Sequence, residues 1–305
     1  MRLARVPDWI ESRAGGWALA LLARPERTAA WLIGLHVLLW WGAIVAGQRN
    51  LPLDVVEIAA WARDPGWATH KLPPLTVWLF WLFERIGGGA QAVVQAQAPL
   101  AMGATLWALW RLGLAAFSPQ RALLALLLVE CVGAMTFQAA LFNQNAVQIP
   151  FWALSALCLW HAVGSGRLWL WAAAGALAAL SLLGKYFGVY LLAALFLFLV
   201  AEPSVRRVWR TPGPYLAALV ALALLAPHLH SVAVDYRWQP FASALERAVG
   251  ARHWSDHLTA PLGWLVAQGV SLWSALIAFA LLLLPRGPAA LPAERPAAVA
   301  RRYLL

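Results

Sequence analysis

The residues that could carry chemistry gather in the segment DVVEIAAWARDPGWATHKLPPL, residues 54–75. Two acids, Asp54 and Glu57, lie close together and are followed by His70, Lys71 and a Pro-Pro pair. Carboxylates can act as general bases, and a lysine can hold a negatively charged group. The segment is therefore a candidate site for acid–base chemistry, and its lysine a candidate partner of an anionic group.

The spacing of the two acids predicts how they are presented. If residues 54–62 are helical, the i, i+3 and i, i+7 spacing places Asp54, Glu57 and Trp61 on one face. Two acids on one face can favour proton uptake by one of them or bind a cation. Asp54 also stands where a helix-capping acid would stand, so a structural interpretation stays open.

Further polar residues interrupt the apolar sequence downstream. Lys185, followed by Tyr186, lies between two apolar runs, where a lysine can bind phosphate or extend its amine to water. His228 and Arg237 are candidates for contacting substrate, and each is also explained as an ordinary interfacial or loop residue. Glu130 lies inside an apolar run, which indicates either an ion-translocating acid or a hydrogen-bonded packing residue.

The elements that position these residues are predicted from the composition. The chain of 305 residues is 62% hydrophobic and 12% charged, far from the roughly 25% charge of soluble domains. Its two cysteines have no metal-site or disulfide spacing. We therefore expect an all-α, polytopic transmembrane helical bundle that forms a single domain over residues 1–305. About eight spans are predicted, at residues 28–47, 90–110, 122–142, 146–163, 168–184, 186–201, 213–229 and 261–284.

The distribution of basic residues predicts the orientation of the bundle. With the N-terminus in the cytoplasm, 15 of the 23 lysines and arginines fall on the cytoplasmic side, as the positive-inside rule requires. The net charge of +10 is then a topology signal and does not indicate a nucleic-acid partner. Residues 1–27 are predicted to be a cytoplasmic tail. The long extracytoplasmic loops are expected at about 48–73 and 230–260, with a short interfacial helix at 74–83.

The last residues, RRYLL at 301–305, resemble the start of another span. This ending indicates either a sequence cut short at its C-terminus or a naturally short protein.

Four segments in series resemble the family 39 glycosyltransferases of the GT-C type, which include protein O-mannosyltransferases and aminoarabinose-to-lipid-A transferases. They are LPLDVVEIAAWARDPGWATHKLPPLTVWL, LFNQNAVQIPFWALSAL, WAAAGALAALSLLGKYFGVYLL and APHLHSVAVDYRWQPFASALERA. The resemblance extends over about residues 28–284. It implies a GT-C-like bundle whose first extracytoplasmic loop carries short helices.

The departures from the family pattern concern the site itself. Leu72 stands where the family has a histidine before Pro-Pro, and Asn145, or else Asn143, stands where it has a second acid. Family members often use that acid beside the first one to hold a metal or the acceptor. Asp54 with Asn145 is therefore the candidate metal pair, and metal dependence stays open.

The resemblance implies transfer of a sugar from a polyprenyl-phosphate donor to an acceptor hydroxyl, with inversion, at the extracytoplasmic face of a bacterial-type inner membrane. The acceptor would be a lipid, a glycan or a protein, and membrane lipids would surround the bundle. The predicted catalytic residues are Asp54 and Glu57, and the predicted substrate-binding residues are His70, Lys71, Asn145, Lys185, Tyr186, His228 and Arg237.

Two alternatives stay open. One is a lipid or solute transporter or flippase that uses Glu130, although no inverted repeat is evident. The other is a catalytically degraded family member, indicated by Leu72 and Asn145.

Overall fold

The computed structural model describes residues 16, 20–248 and 253–283, and this part of the chain is helical without strands. In chain order the helices are α1 (Pro25–Gly47), α2 (Leu53–Trp61), α3 (Leu75–Ile86), α4 (Gln91–Gln95), α5 (Gln97–Ala116), α6 (Pro119–Glu130), α7 (Gly133–Thr136), α8 (Gln144–Ser165), α9 (Leu168–Gly184), α10 (Gly188–Ala201), α11 (Gly213–Val234), α12 (Gln239–Ala248) and α13 (Asp256–Leu283). Short 3-10 turns lie at Phe137–Ala140 and Arg206–Arg210. The predicted all-α fold class is confirmed.

Several helices have the length and composition of membrane spans. Five helical stretches qualify within the described part of the chain, and α9 and α10 are shorter apolar helices. Large apolar side chains point outward from these helices, as on α1, where Trp31 is 80% exposed. Such surfaces fit a hydrocarbon environment. The five stretches are Pro25–Gly47, Gln91–Ala116, Gln144–Ser165, Gly213–Val234 and Asp256–Leu281.

Some predicted boundaries differ from the structure. The segment 122–142, predicted as one span, is broken after Glu130, because Val132 is extended and Gly133 starts a new short helix. Valine and glycine are both weak helix formers, which explains a break here. The predicted loop 230–260 is also shorter, since α11 continues to Val234 and α13 begins at Asp256.

Two predictions fall outside what the structure describes. Most of the predicted tail 1–27, up to residue 19 apart from Gly16, lies outside the described residues. The predicted start of a further span at 301–305 does so too.

Helix α2 has the two faces that the acid spacing predicts. Val55 and Ile58 are buried in the core, whereas Asp54, Glu57 and Trp61 lie on another face. Burial of the apolar face holds this short helix in place, because a nine-residue helix is not stable alone.

Helix α9 packs closely between α8 and α11. A Cβ added at Gly175 of α9 would overlap the backbone oxygen of Ala217 in α11. This close approach is typical of small residues between membrane helices and sets the position of α9, which ends just before Lys185.

Glu130 contributes to helix packing. Its Oε2 lies 2.8 Å from Nδ1 of His36, so the contact joins α6 to α1. His36 is buried, and Glu130 is 20% exposed at its side chain. This contact supports the structural interpretation of Glu130.

Candidate functional site

A cavity of about 400 Å³ opens where α2, the start of α8, the α9–α10 connection and α12 meet. It brings together residues that are more than 100 positions apart in the sequence. We call it the Lys185 cavity. Its lining residues are Asp54, Glu57, Lys71, Leu72, Pro73, Gln144, Lys185, Tyr186, Phe187 and Ala244.

The two acids of the cavity differ in their partners. Both carboxylate oxygens of Glu57 accept hydrogen bonds from Nζ of Lys71 at 2.8 Å. The carboxylate of Asp54 is exposed, and no group in the described part of the chain bonds to it. Asp54 is not the helix cap, because Pro52 occupies that position and Asp54 lies in the first turn. Its carboxylate is therefore available to a ligand.

The turn that carries Lys71 is held by Thr69. The hydroxyl of Thr69 accepts from the backbone N–H of Leu72 at 2.8 Å and donates to the backbone oxygen of the same residue at 2.9 Å. Pro73 and Pro74, both fully buried, follow directly. Two prolines restrict the backbone, so the direction of the Lys71 side chain is set by a rigid turn.

Lys185 enters the cavity from the opposite wall. Its Nζ donates to Oδ1 of Asn145 at 2.5 Å and lies 4.9 Å from the ring centre of Phe187. Its backbone oxygen accepts from Nε2 of Gln148 at 2.6 Å, which anchors the end of α9 to α8. Because an amide stands at position 145, that residue orients the ammonium group without neutralising its charge.

Tyr186 forms another part of the wall and is held from behind. Its ring stacks on Phe241 of α12 at 4.4 Å between centroids. Its hydroxyl lies 3.3 Å from Nε2 of His228, whose Nδ1 lies 2.7 Å from the backbone oxygen of Trp67. A carbonyl only accepts, so Nδ1 carries the proton of the neutral ring and Nε2 accepts from Tyr186. Burial raises the pKa of Tyr186, so the hydroxyl stays protonated.

Four predicted substrate-binding residues do not line the Lys185 cavity. Asn145 is one of them and contacts the cavity only through its bond to Lys185. His228 is 1% exposed and supports Tyr186. His70 packs edge-on against Trp61 and lines a neighbouring cavity. Arg237 is exposed and lines neither cavity, with a left-handed backbone at φ 48°.

The donor atoms do not suit a divalent cation between Asp54 and Asn145. The amide oxygen of Asn145 is already bonded to an ammonium group, and Glu57 is paired with Lys71. No cluster of three His, Cys, Asp or Glu side chains is found in the described ranges. A hard cation prefers several oxygen ligands, which this arrangement does not supply.

Several residues of the site were not predicted from the sequence. Gln144, Phe187 and Ala244 line the cavity, and Thr69 and Gln148 hold its lysines. A signal existed for Gln144, because Asn143 caps α8 by accepting hydrogen bonds from the backbone N–H groups of Asn145 and Ala146. A capping residue places the residue that follows it in the first turn of the helix. Nothing in the sequence indicated Ala244, because its place in the cavity depends on how α12 packs against the other helices.

The fold and the cavity define a multi-pass helical membrane protein with two acids and two lysine ammonium groups in a cavity at one end of its bundle. Residues 71–230, more than half of the 305-residue chain, match the family model described as dolichyl-phosphate-mannose-protein mannosyltransferase. The chain belongs to this family and is a membrane glycosyltransferase of the GT-C type. No match was found among curated proteins or solved structures.

The matched range divides the site. Lys71, Asn145, Lys185 and Tyr186 lie within it, whereas Asp54 and Glu57 precede it. The two acids lie outside the matched range, but they line the same cavity as the two lysines that lie within it.

Proposed function

We propose that this chain transfers a sugar from a polyprenyl-phosphate donor to an acceptor hydroxyl, with inversion at the anomeric carbon. The observation that carries the proposal is that Asp54 shares the Lys185 cavity with Lys71 and Lys185. The family supports a lipid-linked sugar donor and an acceptor in general.

Each group in the cavity has a role in this reaction. The acceptor oxygen attacks the anomeric carbon while Asp54 takes the hydroxyl proton, and the bond from that carbon to the phosphate oxygen breaks. Attack from the side opposite the leaving phosphate inverts the centre. The phosphate takes the bonding electrons, and the ammonium groups of Lys71 and Lys185 stabilise its charge. Glu57 holds Lys71 in position through their ion pair.

The surroundings of the cavity support a lipid-linked donor. Phe187 and Tyr190 follow Lys185 and are exposed on the bundle surface. Their rings stack at 5.7 Å, at the start of the apolar helix α10. A polyprenyl chain attached to a phosphate at Lys185 could extend along this apolar surface.

We further propose that residues 1–305 form one membrane domain in a bacterial-type inner membrane, with the N-terminus in the cytoplasm and the Lys185 cavity on the extracytoplasmic side. The excess of basic residues predicted for the cytoplasmic side supports this orientation.

The experiment replaces Asp54 by asparagine, which keeps the shape of the side chain and removes the base. Membranes containing each variant receive a radiolabelled polyprenyl-phosphate sugar and an acceptor extract. We expect transfer by Asp54→Asn to fall about 10²–10⁴-fold, the usual contribution of a general base. Glu84→Gln is the matched control, since Glu84 is an exposed acid that lines neither cavity. Unchanged transfer by Asp54→Asn would remove Asp54 from its role.

A further inference from the structure

A second cavity, of about 230 Å³, lies beside the first. Among its lining residues are Trp61, Arg63, Asp64, Thr69, His70 and Tyr236. We call it the Trp61 cavity. Its apolar floor includes the buried residues Ala68 and Val77. At this volume it suits one small group, since drug-sized ligands need about 300 Å³ or more.

The two cavities are built from the same elements. Asp54 and Glu57 of α2 line the Lys185 cavity, and Trp61, on the same face, lines the Trp61 cavity. The rigid turn that carries Lys71 also contributes residues to both cavities. Thr69 and His70 face one cavity, whereas Lys71 and Leu72 face the other. A molecule lying along this face of α2 would therefore occupy both cavities.

The polar groups of the Trp61 cavity are available to a ligand. The side chains of Arg63, Asp64, His70 and Tyr236 make no hydrogen bond to any residue that the structure describes. Together they offer donors, acceptors and one formal charge of each sign beside an indole ring. Hydroxyl groups satisfy both donors and acceptors, and the C–H face of a sugar ring packs on an aromatic face. These features favour an uncharged, polyhydroxylated ligand.

The position of the Trp61 cavity distinguishes an acceptor from the donor. Trp61 is seven residues after Asp54, so their backbones are about 10 Å apart along the helix. A sugar joined directly to a phosphate at Lys71 and Lys185 is too short to react beside Asp54 and also fill the Trp61 cavity. An acceptor with more than one sugar can present a hydroxyl to Asp54 and place another ring on Trp61.

We propose that the Trp61 cavity is a subsite for a sugar unit of a glycan acceptor, so that the chain extends or decorates an oligosaccharide or glycolipid headgroup. The proposal rests on the transfer reaction proposed above for the identity of the reacting hydroxyl. The binding of a sugar to the Trp61 cavity does not depend on that reaction and can be measured without a donor.

The binding experiment uses the full chain in lipid nanodiscs without donor. The probes are fluorescein-labelled trisaccharides of glucose, mannose, galactose and N-acetylglucosamine, and a peptide of serine and threonine with the same label. We expect at least one trisaccharide to raise fluorescence polarisation, and Asp64→Asn to weaken its binding about tenfold or more. Trp61→Ala should do the same, but Trp61 also packs on the core, so the surface variant Asp64→Asn decides.

Trp254→Ala is the matched control, because Trp254 is 80% exposed and lines neither cavity. Three results would overturn the subsite: no trisaccharide binds, the peptide binds in place of the trisaccharides, or Asp64→Asn binds as tightly as the native chain.

A second measurement separates this inference from the proposed reaction. Lys185→Gln should raise the donor KM about tenfold or more and keep trisaccharide binding, whereas Asp64→Asn should raise the acceptor KM about tenfold. An unchanged donor KM for Lys185→Gln would contradict the proposed function and leave the sugar subsite intact. Trisaccharide binding that is lost in Lys185→Gln and retained in Asp64→Asn would contradict the subsite instead.

Discussion

At the scale of single residues, the lysines of the Lys185 cavity differ in how they are held. Lys71 is paired with the carboxylate of Glu57, and Lys185 donates to the amide of Asn145. A phosphate must compete with Glu57 for Lys71, whereas residue 145 offers no competing charge to Lys185. We therefore expect Lys185 to contribute more than Lys71 to donor binding.

This difference can be tested by removing one charge at a time. Lys185→Gln should raise the donor KM about tenfold or more, and Lys71→Gln should raise it less, because Glu57 already offsets the charge of Lys71. Arg85→Gln is a control on an exposed cation outside both cavities. The measurement is the initial rate of transfer against donor concentration. A larger effect of Lys71→Gln would contradict this order.

His228 is expected to act by positioning Tyr186. It joins the wall of the Lys185 cavity to Trp67, a residue 161 positions away. His228→Ala should lower the free energy of unfolding by about 1–3 kcal/mol, because Tyr186 and Trp67 lose their buried partner.

The measurement is thermal unfolding of His228→Ala, Tyr186→Phe and the double variant in detergent. Because the two side chains share a hydrogen bond, the two single effects should overlap by about 0.5 kcal/mol or more in the double variant. Strictly additive effects would show that the two side chains act independently.

At the scale of elements, the site depends on the close packing of α9 with its neighbours. Gly175 allows α9 to approach α11, and the same helix ends at Lys185. Gly175→Ala should force the helices apart and lower stability by about 1–3 kcal/mol, as overpacking does. Thermal unfolding in detergent measures this change. Gly164→Ala in α8 is the matched control, because an added Cβ there meets nothing within 4 Å.

The same displacement should reach the site. If α9 shifts, the ammonium of Lys185 moves away from Asn145 and the donor KM rises with the loss of stability. A Gly175→Ala variant as stable and active as Gly164→Ala would show that the two helices tolerate a wider spacing than the structure has.

At the scale of the whole molecule, the connections that form the two cavities meet at one end of the bundle. Residues from α2, the α9–α10 connection and α12 contribute to the Lys185 cavity, whereas α8 runs from the cavity at Gln144 to Ser165. We therefore predict that residues near 66 and 239 share one face of the membrane and that residue 167 lies on the other.

Cysteine labelling tests this arrangement. The native Cys131 and Cys158 are first replaced by serine, and Gly66→Cys, Gln239→Cys or Arg167→Cys is then introduced at an exposed position. A membrane-impermeant thiol reagent added to intact cells should label the first two and spare the third. Labelling of Arg167→Cys with the other two spared would reverse the proposed orientation. Labelling of residues 66 and 239 from different faces would contradict the fold.

The sequence by itself determined the features that depend on local pattern. Long apolar runs predicted the helical membrane bundle, and the i, i+3 and i, i+7 spacing predicted the shared face of Asp54, Glu57 and Trp61. Such features repeat with the period of a helix, so they can be read without knowing what packs against it. The break after Glu130 was missed because an apolar composition does not reveal a local loss of helix.

Only the tertiary structure decided which groups meet. The contacts of Lys71 with Glu57, Lys185 with Asn145 and His228 with Trp67 join residues 14, 40 and 161 positions apart. It also assigned His70 to a second cavity and left Arg237 outside both. Contacts of this kind depend on how helices cross and how closely they approach, and the periodicity of each helix alone carries no information about that.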